Sequence, residues 1–188
     1  MDSSEGARER IRIAALEIMA RKGIAGTTTL DIARRARCSQ AAIYKYWNGK
    51  EELAHQLFEE ALRGMLAEME AGAGAAANPS ERPIGALQGL LAHARTRPAD
   101  YAFLFHVFHS DYARWLVPHP KPRDLVLREV RRAMEAGHIP AGNVGVKTAL
   151  LLGMAVRLAF FERQCLIDGG TEAADSGLWA AAAAVLES

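Results

Sequence analysis

The sequence predicts an all-α protein of about nine helices, in which a long helix joins a three-helix N-terminal domain to a larger helical domain. Half of the 188 residues are hydrophobic, and Ala and Leu greatly outnumber β-branched residues, which favours helices with a sizeable core. Apolar residues recur at helical spacing, and clusters of Gly or Pro separate these stretches. We therefore expect an N-terminal domain at residues 1–50, a connecting helix at 51–71 and a C-terminal domain at 72–188.

The first helix is predicted from Arg8 to Lys22. Gly23 suits the position just after its C-terminus, where a left-handed backbone is common. Its apolar positions have the spacing of one buried helical face. They are Ile11, Ala14, Ala15, Ile18 and Met19.

A helix, a tight turn and a second helix are predicted between Thr28 and Trp47. Thr28 is a candidate N-cap, and Asp31, three residues later, completes a capping box. Ser39 caps the second helix after a turn at Arg37 and Cys38. That helix is expected to bury Ala42, Ile43 and either Tyr46 or Trp47, and to expose Gln40, Ala41, Tyr44 and Lys45. Small, amide and cationic side chains at the start of a short helix suit base edges and phosphates in a major groove.

Six further helices are predicted after the break at Asn48 and Gly49. They run from Lys50 to about Ala71, from about Ile84 to Arg95, from Ala99 to Tyr112 or beyond, from Arg123 to Ala136, from Val144 to Leu166 and from Ala173 to Leu186. The segment Gly72–Pro83 between the first two is small and polar, which predicts a loop. Three prolines between residues 118 and 122 prevent regular helix there.

Charge is distributed unevenly along the chain. Residues 1–50 carry ten Lys or Arg against five Asp or Glu, and the remainder carries thirteen against seventeen. A basic head on an acidic body is typical of a protein that presents one end to a polyanion, although short segments are often a few charges off balance.

Cysteine usage and hydropathy indicate a cytoplasmic protein without a membrane partner. Cys38 and Cys165 lie far apart and in no Cys/His cluster, so we expect neither a disulfide nor a zinc site. The segment MDSSEGARER lacks the apolar run of a secretory signal. The longest apolar stretch, Ala149 to Val156, is too short to span a bilayer.

From Arg8 to about Phe58 the sequence resembles the DNA-binding domain of TetR-family transcriptional repressors. The resemblance is carried by Ile11, Ala14-Ala15, Ile18, Gly23, Thr27-Thr28, Ile32-Ala33, Ala36, Ser39, Ile43-Tyr44, Tyr46-Trp47 and Lys50-Glu51-Glu52-Leu53. Two positions depart from the family pattern, because Arg37 replaces the usual turn glycine and Tyr46-Trp47 replaces a frequent His-Phe pair. The resemblance implies a homodimer that binds a palindromic operator in double-stranded DNA, pairs through its last two helices as a four-helix bundle, and binds an inducer in its C-terminal half.

Eight residues are candidate DNA contacts if the resemblance holds. They are Thr28, Ser39, Gln40, Ala41, Tyr44, Lys45, Tyr46 and Lys50. Gln40 suits bidentate pairing with adenine and Ala41 a thymine methyl. Phosphates suit Tyr44, Lys45, Tyr46 and the start of the helix at Lys50. The alternative is that Thr28 and Ser39 only cap helices and that one aromatic residue of the pair belongs to the core.

A second set of residues is predicted to line a pocket for a small apolar or aromatic effector. They are Phe103, His106, Trp115, Arg157, Phe160, Phe161 and Gln164. Concave, mostly apolar sites with a few polar groups are usual for such ligands, but for any single residue ordinary core packing is the favoured explanation. Arg157 is the informative member, because a guanidinium in an apolar helix must meet a carboxylate, a ligand anion or water.

The remaining chemistry-bearing residues give weaker signals. His106 and His109 share a helical face with Asp111 nearby, but no third ligand has confirmed spacing, so we expect no metal site or cofactor. Cys38 suits a redox switch if Arg37 stabilises its thiolate, and otherwise a small turn residue. Catalytic motifs are absent, so we expect no enzyme.

Two other functions stay open at this stage. One is a helical small-molecule-binding protein or enzyme with a vestigial helix-turn-helix. The other is a constitutive DNA binder with a filled C-terminal core.

Overall fold

The protein is all-α, as predicted. The computed structural model describes residues 3–168 and 170–188, and within them it contains nine α-helices, two 3₁₀ helices and no strand. The α-helices are α1 Ser3–Lys22, α2 Thr29–Ala36, α3 Gln40–Tyr44, α4 Lys50–Ala75, α5 Arg82–Thr96, α6 Pro98–Phe108, α7 Pro122–Glu135, α8 Val144–Arg163 and α9 Gly170–Glu187. The 3₁₀ helices are Pro79–Glu81 and Asp111–Leu116.

Two compact units make up the chain. The first comprises Met1–Gly64 and Arg97–His119, and the second comprises Met65–Thr96 and Pro120–Ser188. Helix α4 runs through the division between residues 64 and 65. The boundaries expected from composition, at residues 50 and 71, differ from this division, because composition does not reveal that α6 and the following 3₁₀ helix pack with the N-terminal helices.

The first unit is built on α1, which packs against α2 and α6. The predicted apolar stripe of α1 is buried, with Ile11, Ala15 and Met19 fully enclosed. Phe103 and Val107 of α6 are also fully buried. The aromatic character of α6 therefore serves this core at least in part.

In the second unit, α4 and α5 approach each other through glycines. A Cβ at Gly72 would collide with the carbonyl oxygen of Gly85, and a Cβ at Gly89 would lie 2.7 Å from the Cα of Met69. The predicted loop at Gly72–Pro83 is wrong at both ends, because residues 72–75 belong to α4 and residues 82–83 to α5, whereas residues 76–81 lie outside the α-helices. Gly72 lies within α4. The backbones of α4 and α5 can pack this closely only where both helices lack side chains, and the close contact offsets the poor helix propensity of glycine.

Several predicted helix ends shift by a few residues. Helix α6 ends at Phe108 instead of Tyr112, because Ser110 accepts a hydrogen bond from the Tyr112 amide and starts the 3₁₀ helix. Helix α8 ends at Arg163 instead of Leu166, where Cys165 takes a positive φ of 55°. Helices α1 and α9 begin earlier than predicted, at Ser3 and Gly170.

Helix α8 packs against α5, α7 and α9. Its Lys147 is buried and donates to the carbonyl oxygens of Val185 and Leu186 at 3.1 and 2.9 Å. The ammonium thus satisfies carbonyls at the C-terminal end of α9, where the helix dipole favours a cation. By length and composition alone α8 could also cross a membrane, a test that core helices of soluble proteins pass as well.

Candidate nucleic-acid interface

Helix α2 begins with the predicted capping box. The Thr28 hydroxyl accepts a hydrogen bond from the Asp31 amide at 3.1 Å, and the Asp31 carboxylate accepts one from the Thr28 amide at 3.0 Å. Lys22 lies 2.9 Å from the same carboxylate. Hydrogen bonds from Lys22 and then from Thr28 lower the pKa of Asp31 to about 2. The side chain of Thr28 is therefore already used to start the helix.

The turn between α2 and α3 places Arg37 in the left-handed region, with φ 53° and ψ 52°. This conformation lets the Cys38 amide donate to the Ala33 carbonyl at 3.0 Å, which satisfies the end of α2. For a non-glycine residue it costs roughly 1–2 kcal/mol of steric strain. The side chain of Arg37 is exposed, so the strained position adds a cation to this surface.

Helix α3 is anchored by its buried side. Ser39 caps it, with its hydroxyl accepting from the Ala42 amide at 3.2 Å. Ile43 is fully buried and Trp47 is 3% exposed. The Trp47 indole also donates to the Gln56 amide oxygen at 2.8 Å. Trp47 is thus the core member of the aromatic pair, and its hydrogen bond attaches the segment just after α3 to α4.

The opposite side of α3 is exposed. Gln40, Ala41, Tyr44 and Lys45 are all in contact with solvent. The Gln40 amide nitrogen donates to the Thr29 hydroxyl at 2.9 Å, which orients the side chain across the start of α2. Tyr46 is half-buried, and the Lys45 ammonium lies 5.5 Å from the centre of its ring. The surface therefore combines an oriented amide, a small residue, a phenol and a cation.

Lys50 is a predicted DNA contact whose ammonium faces inward. It donates to the carbonyl oxygens of Thr27 at 2.7 Å and Ile24 at 3.0 Å, and lies 3.5 Å from that of Ala25. These bonds attach the start of α4 to the segment between α1 and α2. A phosphate contact by the Lys50 side chain would have to replace at least one of them.

Arginines surround this surface. Arg34, Arg35 and Arg37 are exposed on and beside α2, and Arg35 pairs with Glu17 at 2.7 Å. A groove of about 340 Å³ is lined by Arg10, Ile13, Ala14, Glu17, Arg35, Ala36 and Arg37. An excess of cations around an exposed helix is the electrostatic footprint of nucleic-acid binding.

The comparisons with known proteins agree with this geometry. Residues 11–57 match the family described as bacterial regulatory proteins, tetR family. The chain carries a TetR-family DNA-binding domain. The matched segment contains α2, α3 and the exposed surface described above, and this match supports a role as a DNA-binding transcriptional regulator.

The TetR-like fold extends over the whole chain. The TetR-family regulator PfmR from Thermus thermophilus has 19% identity and a TM-score of 0.74, with 94% of this chain and 97% of that chain covered. A TetR-family regulator from Marinobacter aquaeolei has 18% identity and a TM-score of 0.77, with 97% and 96% covered. A tetR-family regulatory protein from Rhodococcus has 18% identity and a TM-score of 0.79, with 99% and 98% covered. No curated protein matches the sequence.

The residues predicted to line an effector pocket are divided between the two units. In the first, Phe103 is fully buried, His106 is half-buried, and Trp115 lies against Phe58 with ring centres 5.7 Å apart. In the second, Arg157 lies over the rings of Phe160 and Phe161, at 5.1 and 5.0 Å. Gln164 is exposed at the end of α8.

Sequence reasoning also missed an ion cluster in the second unit. Arg95 of α5 donates to Glu162 of α8 and Asp175 of α9, each with a closest distance of 2.6 Å. Hydrogen bonds to Asp175 and then to Glu162 raise the pKa of Arg95 further above its usual value. The partners are 67 and 80 residues away, so no local pattern predicts the cluster. Glu162 lies on the same helix as Arg157, but its carboxylate is bound by Arg95.

Proposed function

We propose that the protein is a homodimeric repressor in the cytoplasm, which binds a palindromic operator and releases it when a small apolar or aromatic effector binds. The exposed face of α3 is the observation on which the proposal depends. Gln40 and Lys45 are exposed, while Ile43 within the helix and Trp47 just after it are buried in the core. A rigidly held helix with hydrogen-bonding and cationic groups outward is what a major-groove reader requires, and a vestigial motif would have no need of it.

Within this interface the residues divide into base readers and phosphate binders. Gln40 pairs with an adenine edge and Ala41 contacts a thymine methyl. Tyr44, Lys45 and Tyr46 contact phosphates, which set the register of the helix on the duplex. Thr28 and Ser39 act mainly through their helix caps.

The outer faces of α8 and α9 support the dimer. The exposed positions of α8 include a stripe of Val146, Ala149, Leu150, Gly153 and Arg157, and those of α9 include another of Ala173, Gly177, Ala180, Ala181 and Ala184. Val146 and Leu150 are 54% and 50% exposed, and a Cβ at Gly153 or Gly177 would meet nothing within 4 Å. Such faces suit a two-fold four-helix bundle, in which small residues permit close approach and apolar ones are buried.

A dimer of this kind places two copies of α3 about one DNA turn apart, roughly 34–36 Å, so that each reads half of the palindrome. Effector binding favours a dimer state whose two recognition helices no longer match this spacing. A coupling of about 1–3 kcal/mol lowers operator affinity roughly 5- to 150-fold.

The dimer is tested by sedimentation velocity on the full chain. The double variant Val146→Glu/Leu150→Glu puts four carboxylates into a two-fold interface and should sediment as a monomer. Val117→Glu is the matched control, because Val117 is 77% exposed in the first unit, and it should stay dimeric. A double variant that sediments like the wild type would rule out this interface.

Two buried polar atoms support effector binding in the second unit. The Nε2 of His93 and the hydroxyl of Thr148 are buried and have no hydrogen-bond partner in the described part of the chain. Unsatisfied buried groups of this kind are costly and call for a partner such as water or a ligand. A thermal-shift screen with small neutral and acidic aromatic compounds should identify ligands that raise Tm and also release operator DNA. Stabilising compounds that leave operator affinity unchanged would contradict the release mechanism.

Operator binding is tested by selecting duplexes from a random library and measuring affinity by fluorescence anisotropy at several salt concentrations. If Lys45 contacts one phosphate per protomer, Lys45→Ala lowers the slope of log K against log [salt] by about 1.8 for the dimer, since each contact contributes about 0.9. Arg131→Ala is the control, because it removes one exposed charge from α7. Unaltered affinity and slope in Lys45→Ala, or no selected sequence at all, would exclude the proposed docking.

A further inference from the structure

Three potential metal ligands meet in the first unit, away from α3. His55 and Glu59 lie one turn apart on α4, and His119 follows the 3₁₀ helix Asp111–Leu116. One ligand atom from each side chain lies within 4.8 Å of those of the other two. We propose that these residues bind a divalent transition-metal ion of the zinc, cobalt and nickel class. The proposal is independent of operator and effector binding.

The spacing of the three groups is close to what an ion requires. Ligand bonds of about 2.0–2.1 Å in a tetrahedral site put neighbouring ligand atoms roughly 3.3 Å apart. The Nε2 of His119 is already 3.8 Å from a Glu59 carboxylate oxygen. His55 and Glu59 are four residues apart, so their side chains share one face of α4. We expect small side-chain rotations to close the remaining distances.

The three side chains make no hydrogen bond with the described part of the chain. Within residues 3–168 and 170–188, no hydrogen bond is made by the side chains of His55, Glu59 or His119, and the only ion pair among them is the His119–Glu59 approach at 3.8 Å. All three are half-buried. Partly desolvated imidazole and carboxylate groups that face one another without hydrogen bonds gain most from a shared cation.

Aromatic rings orient the two imidazoles. The Trp115 ring meets that of His55 edge-on, with centres 4.9 Å apart, and Phe58 meets His119 in the same way at 5.7 Å. Phe58 is fully buried, so it provides a fixed wall. An apolar surround of this kind limits the access of water and holds ligand rings in place, as the groups around the ligands do in metal sites.

The donor set selects the class of metal. Two imidazoles and one carboxylate suit Zn²⁺, Co²⁺ and Ni²⁺, whereas Mg²⁺ and Ca²⁺ prefer oxygen ligands only. Three protein ligands leave a further position for water or another small ligand. The ion would join Glu59 of α4 to His119, 60 residues later in the chain. Because such an ion binds only the folded state, it should raise Tm.

The test uses the full-length chain after treatment with a chelator. Titration calorimetry with ZnCl₂ should give one site per protomer, and Co²⁺ should give the intense visible absorption of a four-coordinate site. His119→Gln and Glu59→Gln should each weaken Zn²⁺ binding by more than about 100-fold, since even the partners that only orient metal ligands are typically worth 10- to 100-fold. His138→Gln is the matched control, because His138 is exposed in the second unit.

Circular dichroism of each metal-free variant checks that the variant folds. If His119→Gln does not fold, Glu59→Gln still tests the proposal. Wild-type protein without a Zn²⁺ site would overturn the proposal. The same holds if both ligand variants bind like the wild type, or if His138→Gln weakens binding as much as they do. A rise in Tm with Zn²⁺ that the ligand variants lose would support it independently of operator binding.

Discussion

The contact between α4 and α5 permits a sharp test, because Gly89 lies where the two backbones almost touch. A Cβ at this position would lie 2.6 Å from the Glu68 carbonyl carbon and 2.7 Å from the Met69 Cα. These are backbone atoms of a helix and cannot rotate away. Ordinary contact begins at 3.4 Å, so Gly89→Ala would have to move the helices apart by at least 0.8 Å, the difference between 3.4 and 2.6 Å.

The expected cost follows from that displacement. A gap of 0.5–1 Å removes roughly a quarter to a half of the dispersion energy at each affected contact, and overpacked cores typically lose about 1–3 kcal/mol. Because no side chain can relieve this overlap, we expect about 3 kcal/mol. The better helix propensity of alanine offsets about 1 kcal/mol of this cost. Gly89→Ala should therefore destabilise the protein by about 2 kcal/mol.

Gly74→Ala is the matched control, since a Cβ on Gly74 would meet nothing within 4 Å. It makes the same chemical change near the end of α4 and should stabilise the protein by roughly 0.5–1 kcal/mol. Urea unfolding monitored by circular dichroism, at one protomer concentration for all variants, measures both changes. Equal midpoints for the two variants would refute the close approach of α4 and α5.

Three further predictions concern single contacts. Arg95→Met leaves two partly buried carboxylates unpaired and should cost about 2 kcal/mol by urea unfolding. Arg123→Met removes the exposed ion pair of Arg123 with Asp124, which are 3.5 Å apart, and should change stability by less than about 0.5 kcal/mol. Similar losses in the two variants would contradict the importance of the Arg95 cluster. Arg37→Gly removes about 1–2 kcal/mol of steric strain from the left-handed backbone of the folded state. It also stabilises the unfolded state by about 0.4–1 kcal/mol, because glycine has more conformational freedom. The net result should be a slight rise in stability, and a clear loss would show that the turn does not need positive φ. The pKa of Asp31 is lowered to about 2 from 3.8. The ionised carboxylate therefore contributes its full stabilisation above pH 4, and this contribution is lost as the pH falls toward 2. If the stability of Asp31→Asn falls as steeply as that of the wild type between pH 4 and 2, Asp31 does not have this role.

The candidate DNA interface could be predicted because its determinants are local. Thr28 and Asp31 are three residues apart, Ser39 caps the helix that begins at the next residue, and Gly23 ends α1 with φ 72°. Hydrogen bonds over three or four residues depend on few other parts of the chain, so residue type and spacing are sufficient. Lys50 shows where local spacing is insufficient. Its carbonyl partners lie 23 to 26 residues earlier in the chain, and the predicted phosphate contact did not take them into account.

The amino-acid sequence by itself determined the helical class, most helix starts and stops, and the exposed face of α3, because these depend on propensity, capping and periodicity within a few residues. Tertiary structure alone decided that Gly72 continues a helix against Gly85, that Arg95 holds Glu162, and that His119 meets His55. Each of these depends on segments that are distant in the chain, and the energy of such contacts arises from packing and charge that no local pattern records.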